Sequence, residues 1–170
     1  QVDALGAPDE GWAAAIRVLG IERATNRMYR AWRFENELRH LIAACKTDPA
    51  LAELLQERHY AARLAEAVVD IEVLKGHVET AVDALVAGET IGARGSLAKL
   101  HWSETHQRFA ALAMELLSKA SLPVTSAVKI AQRRFEGIYL HSRAETIYAG
   151  TTEIQLGIIA DRILELSRGK

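Results

Sequence analysis

Two places in the 170-residue chain combine residue types that could do chemistry. The first is Glu22, which follows the apolar residues Ile16, Val18, Leu19 and Ile21 and precedes Arg23. A carboxylate drawn toward an apolar surface holds its proton more tightly, which suits a general base acting beside a carbonyl. The same carboxylate could equally be the ion-pair partner of Arg23 or of a basic residue one turn away. The second place is Ser142-Arg143-Ala144-Glu145-Thr146-Ile147-Tyr148-Ala149-Gly150-Thr151-Thr152-Glu153-Ile154-Gln155, where two helical patterns meet at Gly150. Glycine supplies backbone freedom at such a junction, and Thr152 with Gln155 three residues later has the spacing of a capping box. A helix starting there presents bare N–H groups and a partial positive charge, a place for an anion or a polar cofactor edge, although an ordinary cap leaves the same pattern.

Other candidates carry less. Arg23, Arg27 and Arg30 stand at i, i+4 and i+7 on one helical edge that could receive phosphates, but Glu35 and Glu37 follow closely and a salt-bridged surface explains them better. The six histidines (40, 59, 77, 101, 106 and 141) include no i, i+4 pair that would aim two imidazoles at one metal, so no metal site is expected. Gly92-Ala93-Arg94-Gly95 is too short for a phosphate loop, and the GxxxxGKS/T and GxGxxG patterns are missing, which disfavours the nucleotide-binding sheet folds.

The elements that must position these residues are helices. Prolines occur only at 8, 49 and 123, each where a helical pattern is interrupted. Trp12 to Ala44 is rich in helix formers with Gly20 as its weak point, and reads as a short helix leading into a long one. Asp48-Pro49 is an N-cap followed by proline at the first helical position. Leu64, Val68, Ile71, Leu74, Val78, Val82 and Leu85 recur at spacings of three and four and predict one long helix that stops near Gly88. Ser96 opens a further helix carrying Leu97, Leu100, Phe109, Leu112 and Leu116 inward; Ser118 to Thr125 is a loop; helices over Ser126 to Tyr148 and Thr152 to Ser167 complete the chain. No period of two persists long enough for a strand. The expected fold is all-α: an up-and-down four-helix bundle with additional short helices.

Size and composition agree with a single domain over residues 1–170, 49% apolar, with 21 basic against 22 acidic residues and so no field drawing it to nucleic acid. The lone Cys45, in an apolar context, forms no internal disulfide and fits a reducing cytoplasm. No run approaches the roughly 20 apolar residues of a membrane span. The opening Gln1 to Pro8 lacks an initiating Met and reads as the tail of a preceding domain, residues 1–10 included.

Three stretches together resemble the acyl-CoA dehydrogenase family over essentially the whole chain. Leu5-Gly6 to Gly11-Trp12 with Leu19-Gly20-Ile21-Glu22-Arg23 is similar to that family's exit from its middle β domain into the first helix of its C-terminal bundle. Lys99-Leu100-His101-Trp102-Ser103-Glu104 with His106-Gln107 resembles a central-helix pattern of bacterial members. The most specific match is Ser142 to Gln155 with Ile158-Ile159-Ala160-Asp161-Arg162-Ile163-Leu164, which resembles the family's penultimate loop and final helix. The resemblance implies an FAD enzyme that oxidises an acyl-CoA thioester to its trans-2-enoyl form and passes electrons to an electron-transfer flavoprotein, as a homo- or hetero-oligomer (dimer or tetramer).

By position, the resemblance implies that Tyr148 and Gly150 line the thioester end of the pocket and that Thr151, Thr152 and Glu153 lie at the FAD. Many members carry the base directly after the loop tyrosine, where this chain has Ala149. A second branch carries it on the first bundle helix, at the position matched by Glu22, with Arg23 beside it to orient substrate or loop. The rival is a catalytically silent assembly subunit. Two family elements that reach flavin, Arg-x-x-Phe-Gly near Lys46 to Pro49 and Gln-x-x-Gly-Gly at Gln132, have no match here, a loss that resembles heteromeric bacterial members acting on bulky thioesters.

Overall fold

Helix-starting and helix-stopping residues set the architecture. The computed structural model describes residues 9–24 and 28–166, with the side chains of residues 20–24 outside the description. The described residues form seven helices and no strand: α1 (Gly11–Ala24), α2 (Arg30–Cys45), α3 (Pro49–Leu54), α4 (Arg58–Val86), α5 (Arg94–Leu117), α6 (Ser126–Glu145) and α7 (Thr152–Arg162). Among these residues, no helix is long and apolar enough to cross a membrane.

Local chemistry explains most boundaries. Asp48 caps α3 by accepting from the Leu51 N–H, with Pro49 at the first helical position, and Thr125 caps α6 by accepting from the Val128 N–H. The long helix α4 ends where Gly88 adopts φ +77°. The Glu89 N–H then reaches the Ala84 carbonyl and the Gly88 N–H the Leu85 carbonyl, the paired bonds of a Schellman stop. The break between α1 and α2 falls after Ala24 rather than at Gly20, and α5 starts two residues before Ser96.

The long helices α2, α4, α5 and α6 make the bundle, with α5 packed on α4, α6, α7 and α1. Phe34 is the hub of the core, meeting Trp102 edge-on at 5.8 Å and Phe109 at 4.8 Å between ring centres; such aromatic pairs add about 0.5–1.5 kcal/mol beyond burial. Of the stripe expected on α4, Leu64, Ile71, Leu74 and Val78 are buried, whereas Val68, Val82 and Leu85 are exposed. On α5, Phe109, Leu112 and Leu116 are buried as expected, while Leu97 and Leu100 are only half-buried. The inward row on α4 runs Leu64, Ala67, Ile71, Leu74 and Val78, so Ala67 takes the place expected of Val68, and Val82 and Leu85 lie beyond the last buried residue of the helix.

Candidate functional site

The turn between α6 and α7 is built from its backbone outward. After α6 ends, the Tyr148 N–H still donates to the Ala144 carbonyl at 3.0 Å, and the chain then reverses through Ala149 at φ +58° and Gly150 at φ +95°. The fully buried Gln155 reaches back from α7 into this reversal, its Nε2 donating to the Ala149 carbonyl at 2.9 Å and the Gly150 carbonyl at 3.4 Å. A Cβ at residue 150 would displace the Gln155 amide from this turn, and the positive φ itself favours glycine.

The helix start differs from the expected capping box. Thr151, not Thr152, is the cap, accepting from the Ile154 N–H, and Gln155 closes the turn instead of reaching the cap residue. Nor are the first N–H groups of α7 bare. The Thr152 N–H donates to the Thr146 carbonyl at 3.2 Å, and the Glu153 carboxylate engages Thr151 and its own N–H, contacts that hold its pKa below the ordinary value. The terminus therefore already carries an anion of its own.

Behind the turn lies a buried polar chain. His106, closed to solvent, bonds Glu145 Oε2 through Nδ1 at 2.6 Å and Glu37 Oε2 through Nε2 at 2.8 Å. Its ring stacks on Trp102 with centres 4.1 Å apart. Burial alone pushes the imidazolium toward neutrality, but the Glu145 and Glu37 carboxylates outweigh it and raise the His106 pKa. Burial likewise pushes both carboxyl groups up, and His106 with Arg33 (at Glu37) or with Arg30 and His141 (at Glu145) brings each below its ordinary value. The Arg33 Nε donates to Glu37 Oε1 at 2.8 Å. On the other side the Tyr148 hydroxyl donates to Glu145 Oε1 at 3.4 Å and accepts from Arg30 Nη2 at 2.9 Å. One continuous path thus joins α2, α5 and α6 to the tyrosine of the turn.

Of the residues singled out from sequence, Tyr148, Gly150, Thr151, Thr152 and Glu153 share this turn. Glu22 and Arg23 lie on α1, which packs on the same helix α5 that α6 and α7 pack on; their side chains, and residues 1–8 with 25–27, lie outside the described residues. Arg30 is not part of a surface edge: it is 7% exposed and holds Tyr148. Glu37, His106 and Glu145 appear in the sequence only within separate stretches and not as one cluster, although His106 lies four residues after Trp102 and three before Phe109 on the inward stripe of α5. Gln132 caps α5 by donating to the Leu117 carbonyl, and Asp48 ties α3 to the 118–125 loop by accepting from the Ser121 N–H and hydroxyl, so both unmatched stretches serve the fold.

The description of the acyl-CoA dehydrogenase C-terminal domain matches residues 9–164. Two curated relatives, both named acyl-CoA dehydrogenase IpdE1, are 29% identical in Mycolicibacterium smegmatis and 30% identical in Mycobacterium tuberculosis over 165 residues. The match covers 96% of this chain and 39% and 40% of theirs, so the chain spans about two fifths of the length of these curated relatives. A solved variant of the Tcur3481-Tcur3483 steroid ACAD has the same fold, with a TM-score of 0.78 at 18% identity over 96% of this chain and 42% of that one.

Proposed function

The chain belongs to the acyl-CoA dehydrogenase family, as its C-terminal helical domain, and from that premise we propose that it serves a flavin-dependent enzyme that forms a double bond between the α and β carbons of an acyl-CoA thioester. Glu22 is the base that takes the α-proton, and Arg23 beside it orients the substrate. Tyr148 and Gly150 wall the thioester end. As the α-proton moves to the Glu22 carboxylate, the β-hydrogen leaves with its electron pair, so the acyl group loses two hydrogens and two electrons. FAD, when bound, supplies the acceptor for that hydride, and an electron-transfer flavoprotein is the proposed onward acceptor.

The residues of the turn fit part of that cofactor. Thr151, Thr152 and the ionised Glu153 offer hydroxyls and a carboxylate, which accept from hydroxyl or amino groups. With the first N–H groups of α7 already engaged and a negative charge beside them, the same place suits a sugar or amino edge and repels a phosphate. The observation that carries the reading is the fixed Tyr148 turn, held by Arg30 and Glu145 through the phenol and by Gln155 through the backbone. Preorganisation of this kind is what a wall for a reacting thioester requires.

The test is the full-length protein with and without Glu22→Gln, measured for flavin absorbance and dye reduction over a panel of acyl-CoAs. Loss of about 10²-fold or more in turnover with flavin retained is expected; unchanged turnover removes Glu22 as the base. A second reading, a subunit that only assembles with a catalytic partner in a dimer or tetramer, draws on apolar side chains left exposed, among them Trp12 at 76%, Val69 at 61% and Ile130 at 70%. Flavin appearing only on co-expression with a partner subunit supports that alternative.

A further inference from the structure

Between the second half of α4 and the first half of α5 lies a partly open cavity of about 280 Å³, walled by Leu74, Val78, Ala81 and Ile91 and bordered by Ile163. That is far more than the ~30 Å³ share of one water. Its polar corner is unusual. Trp102 and Arg30 both line it, they are 1% and 7% exposed, and the indole Nε1 and the guanidinium Nε are buried with no hydrogen-bond partner among the described residues. Both groups can only donate, and a buried donor left unmade costs about 1–3 kcal/mol. Arg94 and Lys99 also line the cavity, and no carboxylate of the described residues does. The cavity therefore combines apolar walls, cationic side chains and two idle donors, and its other polar lining, His77 and Thr80, bonds neither of those donors.

The corner adjoins the turn. The Arg30 guanidinium carbon is 4.9 Å from the Trp102 ring centre and 5.7 Å from that of Tyr148, whose hydroxyl it also bonds. We propose that this cavity receives the distal end of the acyl group, an apolar saturated body bearing a carboxylate that accepts from Trp102 Nε1 and Arg30 Nε. The proposal rests on the thioester reading of the Tyr148 turn and deepens it by naming the substrate class: acyl thioesters whose apolar body ends in a second, free carboxylate.

Two measurements on the full-length protein separate the two readings. The first compares kcat/KM for the mono-CoA thioester of cyclohexane-1,4-dicarboxylate with that for cyclohexanecarboxyl-CoA; the carboxylated thioester is expected to be preferred by about tenfold or more, as one charge-assisted hydrogen bond allows. Trp102→Phe, which keeps a ring and removes the donor, reduces that preference about tenfold. Ala84→Phe, which adds a ring to the cavity wall, does the same if the first variant fails to fold. The second is calorimetric titration with free decalin-2-carboxylate, expected to bind the unsubstituted protein and to bind Trp102→Phe at least about tenfold more weakly. Equal turnover of both thioesters with no binding of the free acid overturns the cavity assignment and leaves the dehydrogenase reading standing. Binding that depends on Trp102, with neither thioester oxidised, supports the site and removes the dehydrogenase reading.

Discussion

His106 and Glu145 share a 2.6 Å hydrogen bond between side chains wholly closed to solvent, and the second imidazole nitrogen meets Glu37 at 2.8 Å. A neutral imidazole has one N–H and cannot donate to two carboxylates, whereas the imidazolium donates to both. The cluster is therefore charged, and it joins three helices across a core otherwise made of Phe34, Trp102, Phe109 and their apolar neighbours.

Removing the cation leaves two carboxylates facing each other in the core. His106→Ala is expected to cost about 3–5 kcal/mol. Urea unfolding reads this as a lowered midpoint at an unchanged slope.

The pH dependence of the same cluster has a definite sign. The raised His106 pKa makes its contribution complete below the ordinary value of 6.5 and lost as pH rises through the folded-state value. The lowered pKa values of Glu37 and Glu145 make theirs complete above the ordinary 4.5 and lost as pH falls through the folded-state values. The stability difference between unsubstituted protein and His106→Gln is thus greatest between pH 4.5 and 6.5 and shrinks on either side. A difference that instead falls as pH drops from about 6.5 to 5 means that the buried imidazole is uncharged.

At residue 150 a methyl group meets both an unfavourable backbone angle and Gln155. Gly150→Ala is expected to destabilise by about 1–3 kcal/mol and to lower turnover in the full-length protein. Thermal melting and the dye assay measure the two effects separately.

Asp48 ties α3 to the 118–125 loop through the Leu51 N–H, the Ser121 N–H and the Ser121 hydroxyl. Asp48→Ala removes all three bonds and is expected to cost about 2 kcal/mol. Chemical denaturation of the variant checks this, and a change of only a few tenths shows that water replaces the carboxylate without loss.

Cys45 is fully buried, and burial, with a smaller effect of the Asp48 charge, pushes its thiol up to about 11. Near neutral pH it should resist iodoacetamide in the native protein and react once the protein is unfolded in guanidinium, which mass spectrometry distinguishes. Rapid native labelling contradicts the observed packing.

The readable parts of the sequence were those whose cause is local. Asp48-Pro49 and Gly88 mark a helix start and stop because the partners of a cap lie within a few residues, and the structure has both. The start of the last helix at Thr152 was legible, but its cap is Thr151 rather than Thr152, since the two offer the same hydroxyl and only the backbone decides between them. The buried cluster was not legible. Glu145 and Glu37 stand 39 and 69 residues from His106, and only the register of the packed helices brings them together. Arg30 likewise gave the signature of a surface charge, because its partners Trp102 and Tyr148 sit on α5 and beyond α6.

Gln155 has a mechanical consequence. Its amide grips the Ala149 and Gly150 carbonyls from within α7, while the Thr152 N–H ties the start of that helix to Thr146 at the end of α6. Helix and turn are thereby one stiff lever. A neighbour leaning on the exposed Ile154 or Leu156 would tilt the lever as a whole, and the seat of Tyr148 would follow a push applied about one turn along the helix.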